Sequence, residues 1–143
     1  VPEGEYVVPL GKARIVREGR DATVIATAYM VHEAIRAAER LAERGIEIEI
    51  VDPRTLSPLD TETMVASVQK THRVLTVQEA VEFGGFAGEI TAQIAQQAFD
   101  YLDAPPMRLG APFSPVPYSP VLEREWLVNA DKIHDAVVRL VEG

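Results

Sequence analysis

Asp52 and Glu79 are the residues best placed for ligand chemistry, because both stand at or just past the ends of runs that read as parallel strands. In α/β sheets that carboxyl edge is where ligands settle. The competing assignment is that each acid caps a neighbouring helix or pairs with a basic residue such as Arg54. A glycine-rich turn, FGGFAG at 83–88, lies between a strand and a helix, and such turns let phosphate approach exposed N–H groups. Its spacing of Gly84, Gly85 and Gly88 is not GxGxxG, no lysine completes a P-loop, and Glu79 and Glu82 would repel a pyrophosphate. The turn therefore reads as helix entry or subunit packing around Phe83 and Phe86. His32, His72 and His134 are scattered and form no HExxH or close pair for a metal. Surface or capping roles suit them. With no cysteine and no GxSxG elbow there is no marked nucleophile, and Ser57, Ser67, Ser114 and Ser119 all have capping or loop explanations. No catalytic, cofactor-binding or metal-ligating residue is assigned on these grounds.

The elements that would position Asp52 and Glu79 are legible from periodicity. Residues 13–16 and 23–28 are short β-prone runs joined by a predicted hairpin turn at 17–21. Val31, Ala34, Ile35, Ala38, Leu41 and Ala42 repeat at three- and four-residue steps, predicting a helix over 30–44 that Gly45 closes in a left-handed cap. Its other face is charged, with i,i+3 pairs of Glu33 with Arg36, Arg36 with Glu39, and Arg40 with Glu43. IEIEIV at 46–51 alternates as a strand with one open face or a place toward an edge. Ser57, Pro58 and Asp60 then take N-cap, first-turn and N3 positions of a helix over 58–70. A more continuous apolar strand at 73–77 sits with 23–28 near the sheet centre. A third helix presents Ile90, Ile94, Ala95 and Ala98, and a short strand follows near 107–109. Six prolines between 104 and 120 mark a stiffened Pro-rich loop, a contact arm or an ordinary connector. A last helix spans 130–142. The order predicts one domain over 1–143, a three-layer α/β/α fold with a mostly parallel sheet of about five strands and one antiparallel strand.

Composition narrows the function classes. A formal charge of −8 disfavours nucleic-acid binding and favours a basic protein partner. The absence of cysteine fits a reducing compartment, and no apolar run approaches the ~20 residues of a membrane span. The chain starts VPEG without methionine, which points to a processed chain or a fragment.

Several segments share an order and spacing with a known family: VPEGEYVVPLGKARIVREG at 1–19, AYMVHEAIRAAERL at 28–41, VDPRTLSPLD at 51–60, VQEA at 77–80, GGFAGEI at 84–90, LDAP at 102–105 and PVPYSPVLE at 115–123. Together they resemble the C-terminal domain of the β subunit of thiamine-diphosphate-dependent 2-oxo acid dehydrogenase E1 components, with the transketolase C-terminal fold. GGFAGEI is similar to the branched-chain enzymes, PVPYSPVLE to the pyruvate and acetoin enzymes. The resemblance implies that thiamine diphosphate and Mg belong to the parent E1, held by an α-subunit domain and the N-terminal β-subunit domain, so no catalytic or cofactor residue is carried onto this chain. It implies assembly with an E1 α subunit, a second E1 β subunit and the basic subunit-binding domain of an E2 acyltransferase, in a bacterial cytoplasm or, for a eukaryote, the mitochondrial matrix. Glu123, Glu125, Asp131, Asp135 and Glu142 are the candidate E2-docking residues; a solvated acidic surface is the alternative. Phe83, Phe86, Phe113 and Tyr118 are the candidate subunit-interface residues. From a different class, the residues also allow a free-standing small-molecule or nucleotide binder using the sheet edge near Asp52, Glu79 and Gly84.

Overall fold

Short β-branched runs build a single sheet in the computed structural model, which describes residues 3–143; the first two residues of the VPEG segment lie outside it. The strands are β1 (Arg14–Arg17), β2 (Ala22–Ala26), β3 (Ile48–Asp52), β4 (Val74–Val81) and β5 (Met107–Ala111), in spatial order β1-β3-β2-β4-β5. All are parallel except β1, which runs antiparallel to β3. Helices α1 (Met30–Ala42) and α5 (Ala130–Glu142) bury their apolar stripes on one face, against Val24, Ile48, Ile50, Leu75 and Val77. On the other face, α2 (Thr61–Thr71) and α3 (Ala87–Gln97) pack on Ile25, Val51 and Val74. The predicted three-layer α/β/α order is thus present. Each fully buried Ile or Leu of these layers contributes about 1.5–3 kcal/mol of transfer free energy.

The predicted hairpin is not formed, since β1 lies beside β3 and not β2. Arg14 stands opposite Asp52 and Ile15 opposite Val51, with a bulge before Arg17. Gly19 explains the route: a Cβ there would come within 2.1 Å of the Glu49 backbone nitrogen, so only glycine lets the chain cross so close to β3. β3 therefore lies toward an edge, next to the edge strand β1, but neither of its faces is open. Its isoleucines face α1 and α5, while Glu49, fully buried, faces α2. There Glu49 accepts a 2.6 Å hydrogen bond from Ser67 Oγ and pairs with Lys70, and Thr23 Oγ1 bonds both Ser67 and Thr71 at 2.7 Å. The period-2 pattern located the strand, but a polar face can be satisfied by a buried network as well as by water.

α1 ends as its sequence requires. Gly45 has φ +79°, and Ile46 and Gly45 N–H groups return to the Leu41 and Ala42 carbonyls, a Schellman closure. Of the three predicted i,i+3 pairs, Glu33 with Arg36 is present. Glu33 is buried, not on the solvent face: its other oxygen accepts the Ala130 N–H at 2.9 Å and so ties α1 to the start of α5. Arg40 and Arg44 turn instead to Asp131 and Glu142 on α5.

Asp60, not Ser57, is the N-cap of α2; its carboxylate accepts from Thr63 N–H at 3.2 Å and Ala13 N–H at 2.9 Å. Serine and aspartate are both capping residues, and the tertiary bond to Ala13 selects the latter. β4 runs on to Val81, past the predicted end. The Pro-rich segment 104–120 contains β5 and then delivers Pro120 into the first turn of a helix that periodicity missed, α4 (Pro120–Trp126), whose seven residues are too short to show a repeat.

Candidate functional site

The strand order reverses between β2 and β4: β2 leads through α1 to β3 on one side, and β4 leads through α3 to β5 on the other. Such a switch point leaves a crevice beyond the strands' carboxyl ends. Here it is a cavity of about 590 Å³, floored by Thr27, Val77 and Gln78, walled by Phe86 and Ile90, and roofed by Trp126. Ser114 fixes the roof by accepting a 2.9 Å hydrogen bond from Trp126 Nε1.

Gln78 decides what the glycine turn does. Its carboxamide accepts the Ala87 N–H at 2.6 Å and donates to the Val81 carbonyl at 2.6 Å, filling the donor position a phosphate would need at the start of α3. A Cβ on Gly85 would lie 1.7 Å from Gln78 Nε2, so that glycine makes room for a side chain of its own fold. Gly84 supplies a left-handed φ of +71°. Gln78 was not singled out in the sequence; the available signal was a buried-strand amide directly after Val77, six residues before the double glycine at Gly84.

Asp52 and Glu79 do not converge on one site. Asp52 Oδ1 accepts the Arg54 N–H at 2.9 Å and braces the turn after β3, where Arg54 holds φ +61°. It lines a separate hollow with Arg54, while Glu79 lines the large crevice. The histidines are placed apart: His32 is exposed near the Tyr29 ring, His72 caps α2 with Nδ1 2.8 Å from the Tyr101 carbonyl, and His134 lies against Asp135. Among the described residues no group of three or more acids or histidines could hold a metal ion.

The five candidate docking acids are all exposed, yet they differ in freedom. Asp131 and Glu142 are engaged by Arg40 and Arg44. Asp135 is held below the usual carboxylate range by its hydrogen bond to His134, with Arg139 and Arg40 adding to the effect. Glu123 and Glu125, on α4, make no side-chain ion pair among the described residues. Of the aromatic set, Phe83 and Phe113 pack ring on ring at 5.0 Å while remaining 72% and 75% exposed, and Tyr118 is fully exposed. Phe86 is half-buried and packs against the core under α2 and α3. Val116, Val121 and Leu122 add further exposed apolar surface in the same stretch of chain.

Residues 11–133 match the family described as "Transketolase, C-terminal domain". The chain belongs to the transketolase C-terminal domain family. This domain is 48% identical over 141 residues to the acetoin:2,6-dichlorophenolindophenol oxidoreductase subunit beta of Bacillus subtilis (strain 168), covering 99% of this chain and 41% of that protein. It is 43% identical to the pyruvate dehydrogenase E1 component subunit beta of the same organism, covering 99% and 43%. Among solved structures it is similar to a split gene transketolase, an inactive beta4 tetramer, with TM-score 0.79, 25% identity, and coverage of 96% of this chain and 44% of that one. The transketolase C-terminal domain thus spans about two fifths of the curated relatives' length.

Proposed function

We propose that this transketolase C-terminal domain is the assembly domain of the β subunit of a thiamine-diphosphate-dependent 2-oxo acid dehydrogenase E1 in a bacterial cytoplasm. The single observation that carries the reading is the exposed aromatic pair Phe83–Phe113, followed in the chain by exposed Val116, Tyr118, Val121 and Leu122. A stretch so rich in exposed large apolar side chains supports a protein interface. Its partners are an E1 α subunit and a second β subunit, and the parent enzyme decarboxylates a 2-oxo acid oxidatively and passes the acyl group to the lipoyl arm of E2. For E2 docking, the free carboxylates Glu123 and Glu125 are the favoured contacts, because Asp131 and Glu142 are already occupied by α1 arginines.

The residues present do not fit the cofactor. The leading N–H of α3 is taken by Gln78, and Glu79 and Glu82 would face a diphosphate with like charge. No step of the chemistry is therefore assigned to this chain. Sedimentation velocity tests the assembly reading: the chain self-associates as its concentration rises, and F83S/F113S shifts it to monomer. A wild-type chain that stays monomeric at high concentration would overturn it.

A further inference from the structure

We propose that the crevice at the switch point is a site for an organic cation, a guanidinium or ammonium group on a short apolar stem. The inference goes beyond the assembly reading and shares only Val116 and Glu123 with it, so Glu79 and a free organic cation distinguish the two.

The walls of the crevice are mostly apolar, supplied by Val77, Phe86, Ile90, Val116, Trp126 and Leu127. Its volume of about 590 Å³ is that of a small-ligand site. Only two charged side chains line it, Glu79 from β4 and Glu123 from α4, and both are carboxylates. One is carried by the sheet and the other by α4. Neither makes an ion pair or a side-chain hydrogen bond among the described residues. Of the neighbouring cations, Arg54 lies in the adjoining hollow with Asp52, Arg108 reaches toward Gly88 at the start of α3 without lining the crevice, and the Arg124 guanidinium turns back to the Pro120 carbonyl at 3.3 Å.

Of the polar side chains beneath, those of Gln78 and Thr76 are committed and only the Thr27 hydroxyl is not. Gln78 is bonded to Ala87 and Val81, and Thr76 Oγ1 lies 3.2 Å from Thr91 Oγ1. An anion would meet two carboxylates, with the Thr27 hydroxyl as the one uncommitted side-chain donor of the lining among the described residues. A cation on an aliphatic stem meets apolar walls along the stem and negative potential, focused by those low-dielectric walls, at its head. The indole of Trp126 and the ring of Phe86 add the π faces that favour such a head group. The group can come from a free organic cation or from an arginine side chain of a neighbouring polypeptide.

Trp126 is the single tryptophan, so its emission reports the crevice directly. The chain is titrated with n-butylguanidinium, with the uncharged n-butylurea, and with the capped peptides Leu-Arg-Leu and Leu-Gln-Leu. The expected result is a saturable emission change with n-butylguanidinium and with Leu-Arg-Leu, each about 10-fold tighter than its uncharged counterpart. E79Q/E123Q lowers the cation's affinity to the urea value and leaves urea binding unchanged, which shows that the crevice is intact. Tighter binding of Leu-Arg-Leu than of the free cation supports a side-chain source, and equal binding supports a free ligand. Equal affinity for the charged and uncharged probes, no saturation by either cation, or an unchanged cation affinity in E79Q/E123Q would overturn the proposal.

Discussion

Replacing Lys70 by methionine isolates what the buried Glu49 needs. Glu49 is 0% exposed, and its charge is met by the Lys70 ammonium, the Ser67 hydroxyl at 2.6 Å and the Gly19 N–H at 3.3 Å. Removing one partner of a fully buried pair costs about 3–5 kcal/mol. Lys70 is 43% exposed, so solvent already screens part of its charge, and two donors stay in place after the substitution. About 2 kcal/mol is therefore expected, or roughly 6–8 °C of melting temperature for a domain of this size. Urea denaturation with linear extrapolation measures it. E49L/K70M, which removes both charges, should recover to within about 1 kcal/mol of wild type. The pH dependence has a definite sign. The Lys70 pKa is raised by its hydrogen bond to Glu18 and then by that to Glu49, so its stabilisation is fully present below the ordinary 10.5 and fades as pH rises through the higher folded value. A K70M cost below about 0.5 kcal/mol, the level of an exposed pair, would show that the buried Glu49 does not rely on the Lys70 charge. So would a double variant less stable than K70M.

Burial works against the Asp60 carboxylate, but hydrogen bonds from Ala13 and Thr63, with Lys12 nearby, outweigh it and hold its pKa below the ordinary 3.8. Its contribution is present above that value and lost as pH falls through the lower folded one, so D60N should cost about 1–2 kcal/mol at neutral pH and flatten the acid limb of a melting-temperature profile. G85A forces the Gln78 amide out of its place at α3 and should cost about 2 kcal/mol by denaturant titration, whereas G84A is strained only by its positive φ and should cost about 1.

Elements with a strong period were legible in the sequence. The stripe of α1, its Gly45 closure and the span of α5 match the structure, because local repeats and caps are written in adjacent residues. What depends on distant residues was not legible. Gly19 routes β1 beside β3 through a contact 30 residues away, and Asp60 outcompetes Ser57 as a cap through its bond to Ala13. The buried Glu49 carries the same lesson, since its partners Ser67 and Lys70 belong to the next helix. At the candidate site, the position of Glu79 at the carboxyl edge could be read, but its separation from Asp52 could not, because each lines a different hollow. Glu123 entered the crevice only through α4, a helix of seven residues with no periodic signature.

If this domain serves assembly and leaves the cofactor to the rest of the enzyme, calorimetric titration of the isolated chain with thiamine diphosphate and Mg²⁺ gives no binding heat, whereas a micromolar dissociation constant, about −8 kcal/mol, would overturn that division.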